Sequence, residues 1–367
     1  MKFILSTIAG VESIAKKEIE RQGGKIENVV DRLITFSGEM NLMPRVNLWS
    51  RVGNKLYLLL AEEENVTDFD TMFDIIKDIN WKRYFKKNYP IVVKSSAIRS
   101  DLFAARTIQS LSKKAIVKSL VGNNGVVKED DSLEKMEILV LLIDNKLRVL
   151  LNTSGKALHM RGYRTQAGEA PIKESLAAAL VLLSNWKFKE NFYDPFCGSG
   201  TIPIEAYMIA KNIAPGLKRA FAYEKLGLLD WESSENERAL ARTKTYDGDY
   251  KIFGSDIDPE MVELSKENAA RAGIAGKINF EQKDFKEYSN MDLHGTLVSN
   301  PPYGDRLKDD DIKGLYNSID QLFRVQPNLG GGIISSYLEF DDLVRKENYK
   351  KRKLYNGGEK CYFWRRK

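Results

Sequence analysis

Apolar runs of five or six residues alternate with amphipathic stretches along this chain, and the pattern changes near residue 171. Before that point, Lys2–Thr7 has the character of a strand. A helix-period segment follows from Gly10-Val11-Glu12 to about Gln22 and is closed by Gly23-Gly24. Lys25–Val30 and Leu33–Ser37 form two more strands around Asp31-Arg32, Met40–Leu48 a helix, and Lys55–Ala61 a strand. The order βαββαβ predicts a ferredoxin-like unit over residues 1–64. A second α+β unit is expected over 65–155. It comprises a helix at Thr67–Ile79, a strand at Ile91–Ser96, a long helix at Leu102–Leu120, and a hairpin of Lys135–Ile143 with Lys146–Asn152. Residues 156–170 are polar and glycine-containing and suit a linker.

From Pro171, which suits the first turn of a helix, strands alternate with helices. The strands fall at Asn191–Tyr193, Lys251–Ser255, Ile278–Lys283, Thr296–Ser299 and Gly332–Ser336. This is the pattern of a doubly wound, Rossmann-like α/β domain over 171–367. Lys353–Lys367 reads as a closing hairpin around Asn356-Gly357-Gly358.

Two short segments in the α/β half carry chemistry. The first is Asp194-Pro195-Phe196-Cys197-Gly198-Ser199-Gly200, between a strand and a helix. Its glycines let backbone approach a ligand, and the free N–H groups from Thr201 onward suit a carboxylate. Asp194 is placed to accept from an ammonium group. S-adenosylmethionine carries both groups on its amino-acid tail. The next strand ends at Asp256-Ile257-Asp258, where a carboxylate falls beside the glycine loop and suits ribose hydroxyls. Asp256 is the choice for that role, because Asp258 before Pro259 suits a helix cap. Asp284 and Phe285, at the third strand's end, suit an adenine amino group and its ring face.

The second segment is Asn300-Pro301-Pro302-Tyr303, also at a strand end. A ring-conjugated amine is a poor nucleophile. The Asn300 side-chain oxygen and a proline carbonyl can accept its two N–H groups and direct its lone pair at a methyl donor, while Tyr303 stacks on the base. Cys197 suits a small packed side chain. The two histidines lie far apart in sequence, so neither a histidine triad nor a metal site is expected.

Charge narrows the partner. Residues 1–165 hold 27 Lys+Arg against 20 Asp+Glu, and the rest hold 30 against 31. Lys94, Arg99, Arg106, Lys113, Lys114 and Lys118 are the candidate phosphate contacts, on a strand, a loop and a helix expected to share a face. Two cysteines give no disulfide framework and fit a reducing cytoplasm. No apolar run is long enough to span a bilayer, no signal peptide is expected, and nothing calls for an obligate protein partner.

The chain resembles the THUMP-domain class I RNA methyltransferases, in particular the RlmL-type 23S rRNA guanine-N(2) group. The residues carrying the resemblance are Arg161-Gly162-Tyr163-Arg164, Ala167–Pro171, the DPFCGSG loop with Thr201–Ala206, Asn212-Ile213-Ala214-Pro215-Gly216 with the insertion holding Phe221 and Trp231, Gly254–Pro259 and Asn300–Gly304. The resemblance implies a THUMP module that captures folded RNA, and methylation of the guanine 2-amino group by S-adenosylmethionine. A monofunctional version is expected, since a second methyltransferase found in some relatives does not follow. Alternatives are a tRNA guanine-N(2) enzyme, an adenine-N(6) enzyme on RNA or DNA, and an RNA-binding adaptor without activity.

Overall fold

The computed structural model describes residues 1–85, 88–122, 125–164, 172–303, 309–344 and 346–367, the side chains of 309–311 and 346 excepted. The expected helix start at Pro171, residues 165–170 and Gly304 lie outside the described residues.

The N-terminal half is one seven-stranded sheet. Its strands are β1 (Lys2–Thr7), β2 (Lys25–Val30), β3 (Leu33–Ser37), β4 (Gly53–Glu63), β5 (Ile91–Ile98), β6 (Met136–Ile143) and β7 (Lys146–Asn152), in the order β2-β3-β1-β4-β7-β6-β5. The first four have ferredoxin-like order, with helices α1 (Glu12–Arg21) and α2 (Leu42–Trp49) between them. Strand alternation places Phe3, Leu5, Ile34 and Phe36 against Ala15 and Ile19 of α1. β4 is longer than its apolar run because both of its edges are paired. Phe3 lies opposite Leu58 on one side, and Tyr57 opposite Asn152 on the other. The second unit thus continues the first unit's sheet. Its helices are α3 (Phe69–Asp78) and α4 (Ala105–Val121), which pack on each other, and α4 also packs on β5.

The C-terminal half is a mixed seven-stranded sheet of β8 (Asn191–Asp194), β9 (Ile252–Asp256), β10 (Asn279–Gln282), β11 (Gly295–Ser299), β12 (Leu329–Ser335), β13 (Tyr349–Asn356) and β14 (Glu359–Arg366). The order is β10-β9-β8-β11-β12-β14-β13, with only β14 running antiparallel to the rest. The flanking helices include α5 (Glu174–Leu183), α6 (Thr201–Ala210), α7 (Ala222–Lys225), α8 (Trp231–Thr243), α9 (Pro259–Ala272) and α10 (Asp309–Val325). The chain reverses direction across the sheet between β8 and β11, which opens a crevice at their C-terminal ends. β12 starts three residues earlier than its sequence pattern suggests. Gly331 and Gly332 lie inside it, and a Cβ there would overlap the carbonyl oxygens of Leu297 and Trp364. These glycines permit close strand packing and do not end the strand.

Arg161 and the 212–216 segment fasten the two halves together. Arg161 is buried, donates to the carbonyls of Leu158 and Arg51, and lies 3.5 Å from the buried Glu205 carboxylate on α6. Gly216 N–H donates to Leu48 O at 2.9 Å. A Cβ on Gly216 would come within 2.8 Å of the Leu48 Cα, so this contact demands glycine. Phe221 is buried between the guanidinium groups of Arg219 and Arg238, with cation-to-centroid distances of 5.0 and 5.4 Å. Trp231 is exposed.

Candidate active site

The loop after β8 is fixed from two directions. Cys197 N–H donates to Ser255 O, and Gly198 N–H donates to Asp256 Oδ2, both at 2.9 Å, so the loop is tied to the end of β9. Gly200 is the N-cap of α6 with φ of 78°. A Cβ on Gly200 would lie 2.8 Å from the Ser265 Cβ, so both conformation and packing require glycine there. No side chain caps α6, which leaves its first-turn N–H groups for a ligand. Cys197 is buried, and burial pushes its thiol well above the ordinary range. It is an unreactive packing residue.

A cavity of about 560 Å³ opens at the C-terminal ends of β8, β9 and β11. Asp194, Pro195, Phe196, Cys197, Gly198, Ser199 and Thr201 line one side of it, with Asp256, Ile257, Asp284, Phe285, Asn300 and Pro302 around the rest. Pro301 is buried behind the turn. The Tyr303 side chain hydrogen-bonds Cys361 of β14.

Asp194 is fully buried. Its Oδ1 accepts from the Ser299 hydroxyl and from Phe196 N–H, while its Oδ2 has no partner. Burial raises its pKa to about 7. A buried carboxylate oxygen without a donor, facing a cavity, fits an ammonium group. Together with the uncapped helix end, it matches the two charged groups of an amino-acid tail, so these residues fit S-adenosylmethionine.

Asp256 uses both oxygens at home: Oδ2 accepts from Gly198 N–H, and Oδ1 from Asp258 N–H at 3.1 Å. Asp258 caps α9 by accepting from Glu260 N–H at 2.8 Å. Asp284 Oδ1 accepts from Lys286 N–H at 2.9 Å and caps a short 3-10 helix. Phe285 is buried and packs on Phe196, with ring centroids 4.9 Å apart. Ile257 is exposed at the rim and offers an apolar contact to a flat ring.

Sequence reasoning missed Ser299, which holds Asp194. The polar residue at the end of an otherwise apolar strand was its signal. It also missed Ile172, Met261, Lys283, Lys286 and Leu315, which line the cavity. They come from separate elements and share no local pattern.

The six candidate RNA contacts do not share one face. Ser95 of β5 bonds to α4, so by alternation Lys94 points to the opposite side of the sheet, where it pairs with Glu137 at 2.5 Å. This corrects the expected common face. Arg99 pairs with Asp144, Lys113 with Glu129, and Lys118 lies 5.8 Å from the Phe73 ring. Arg106 and Lys114 are exposed without an ion pair among the described residues.

Among the described residues, no helix is long and apolar enough to cross a membrane. Comparison with known proteins gives two family matches. The RMKL-like methyltransferase domain matches residues 161–364, and the RlmL ferredoxin-like domain matches residues 2–57. The Bacillus subtilis (strain 168) protein YpsC, provisionally named an RNA methyltransferase, is 36% identical over 95% of this chain and 91% of its own. Two solved structures align closely. SMU.472, provisionally named a methyltransferase and solved with SAH, is 33% identical, with a TM-score of 0.90 over 99% of this chain and 97% of its own. A Listeria monocytogenes protein, named by prediction an N6-adenine-specific DNA methylase, is 32% identical, with a TM-score of 0.90 over 99% and 95%. With the methyltransferase domain matched over more than half its length, and a glycine loop, strand-end carboxylates and an Asn-Pro-Pro-Tyr turn around one cavity, this chain belongs to the family of RMKL-like methyltransferases with an RlmL ferredoxin-like N-terminal domain.

Proposed function

We propose that this protein is an S-adenosylmethionine-dependent RNA methyltransferase acting on the exocyclic 2-amino group of guanine, with 23S rRNA as its substrate and the cytoplasm as its compartment. The observation that carries this reading is the single cavity shared by the partnerless Asp194 Oδ2 and by Asn300 with Pro302. One set of groups suits the cofactor and the other the acceptor amine. The cofactor supplies an electrophilic methyl group. Asp194 takes the ammonium, the first turn of α6 the carboxylate, Asp256 the ribose, and Asp284 with Phe285 the adenine. Asn300 Oδ1 and a proline carbonyl of the turn accept from the amine and orient its lone pair. Residues 65–155 act as the THUMP module that captures RNA, and the guanine assignment follows the 212–216 segment. YpsC's name supports RNA as the substrate.

The name of the Listeria relative favours a second reading, methylation of adenine at N6 in DNA. One experiment separates the two. The enzyme is incubated with labelled S-adenosylmethionine and either undermodified total RNA or DNA, and the labelled nucleoside is identified after digestion. The expected product is N2-methylguanosine from RNA. Label in methyladenosine alone overturns the guanine assignment, and label in DNA alone overturns the RNA assignment.

Two predictions concern the cofactor. Asp256→Ala should weaken S-adenosylmethionine binding by about 1.5–3 kcal/mol. The variant removes a charged acceptor and frees Gly198 N–H. Calorimetric affinity equal to wild type would dismiss the ribose role. The second prediction is a pH dependence. With a pKa of about 7, the Asp194 carboxyl is largely protonated at pH 6, whereas holding an ammonium requires its ionised form. Affinity should therefore fall about tenfold per pH unit below 7, and binding near pH 6 should release a proton. Titration calorimetry in two buffers of different ionisation enthalpy reads that proton directly. A flat affinity from pH 7.5 to 5.5 without release would remove Asp194 from the ammonium site.

A further inference from the structure

A second cleft, with a volume of about 680 Å³, lies away from the cofactor cavity. It opens between α1 of the ferredoxin-like unit and the far end of the catalytic sheet. Phe188 just before β8, Tyr246 before β9, and the C-terminal ends of α5 and α6 line it. These are the opposite ends of the strands from those that carry Asp194 and Asp256.

Six cations face this cleft: Lys17, Arg21, Arg51, Lys350, Arg352 and Arg365. None of them makes an ion pair among the described residues. That contrasts with Lys94, Arg99 and Lys113, each held by a carboxylate. The cleft cations are also arranged against one another. Lys17 and Arg21 are four residues apart on α1, where like charges repel. Lys350 stands directly opposite Arg365 across the β13–β14 ladder, a second repulsive pairing.

Arg51 is 7% exposed, and its Nη1 has no hydrogen-bond partner. Its Nη2 donates to Ile213 O at 3.0 Å. Glu18, the one acid in the lining, already accepts from the N–H groups of Arg51 and Val52 and from the Ser50 hydroxyl. Glu18 and Glu205 thus balance Arg51 in part, whereas Lys17, Arg21, Lys350, Arg352 and Arg365 have no carboxylate within ion-pair distance among the described residues. Phe188 and Tyr246, both exposed, share the lining and offer ring faces beside the cations. Unpaired cations beside aromatic rings suit a chain of phosphates carrying bases.

We infer that this cleft binds the phosphodiester backbone of the RNA substrate at a segment remote from the methylated base. The inference rests on the RNA reading above. It means that a fragment carrying only the target base and its immediate neighbours does not reach the cleft, so full affinity needs a longer RNA.

The test is a Lys350→Gln, Arg365→Gln double variant of the full chain, compared with wild type on a long undermodified 23S rRNA fragment. Melting temperature should hold or rise, because the substitution relieves a repulsion, and S-adenosylmethionine affinity should not change. RNA affinity near 0.15 M salt should fall about tenfold or more, and the slope of log K against log salt should shrink by about 1.5. A short target-base fragment should bind the two proteins equally. Unchanged affinity and salt slope on the long RNA would overturn the cleft assignment while leaving the RNA reading intact. A wild-type protein that binds no RNA would overturn both. Displacement of the long RNA by a mononucleotide as effectively as by RNA would reassign the cleft to a small phosphate ligand and overturn the inference.

Discussion

Replacing Asn300 with alanine should lower turnover by about 100-fold while leaving S-adenosylmethionine affinity close to wild type. Asn300 directly follows β11 and lines the same cavity as the glycine loop. No other side chain of that turn can accept from an amine: Pro301 and Pro302 bring only carbonyls, and the Tyr303 side chain is drawn toward Cys361. Alanine removes one fixed acceptor, and the amine nitrogen loses the contact that holds its lone pair toward the methyl donor. Single-turnover rates with saturating RNA measure the chemical step, and calorimetry measures the cofactor. A variant that keeps most of its turnover would exclude Asn300 from catalysis. Equal losses of cofactor affinity and turnover would make it a cofactor contact.

Arg161→Met should destabilise the protein by about 3–5 kcal/mol, the expected effect of breaking a buried ion pair. Arg161 and Glu205 have side-chain exposures of 2% and 0%. Removing the arginine leaves the Glu205 carboxylate with the Tyr163 hydroxyl, at 3.2 Å, as its hydrogen-bond partner and Arg51 as its remaining cationic neighbour. It also leaves the carbonyl of Arg51 without this donor. Urea unfolding followed by tryptophan fluorescence reads the change. Adding Glu205→Leu should restore part of the loss, because the under-compensated buried charge is then gone. A midpoint that does not move in Arg161→Met would show that the pair is not a fastening point.

Local chemistry made the elements legible. β1, β3 and β7 begin and end where the apolar runs do, since a half-buried strand needs apolar residues at period two. Asp258 before Pro259 was readable as a cap because N-capping depends on one side chain and its next two residues. The glycine loop and the Asn-Pro-Pro-Tyr turn were readable because close backbone approach and a fixed φ each restrict residue type. What failed was any judgement that needed the orientation of a side chain in three dimensions. Lys94 looked like a partner of the α4 lysines by charge and proximity, yet strand alternation turned it away. The β12 glycines resembled a strand end, because a sequence does not show how closely neighbouring strands pass.

The sequence by itself determined the two-part architecture, the alternation that builds the Rossmann-like sheet, and the turns at its crevice. Each follows from periodicity or from a residue whose backbone geometry is restricted. Only the tertiary structure decided that the two N-terminal units share one sheet, since either edge of β4 was free to pair. It alone showed that Asp194 keeps one oxygen without a donor. The Arg161–Glu205 contact and the six-cation cleft are likewise tertiary, because they join residues dozens to hundreds of positions apart. Burial and electrostatic balance are sums over neighbours in space, and a linear pattern carries no term for them.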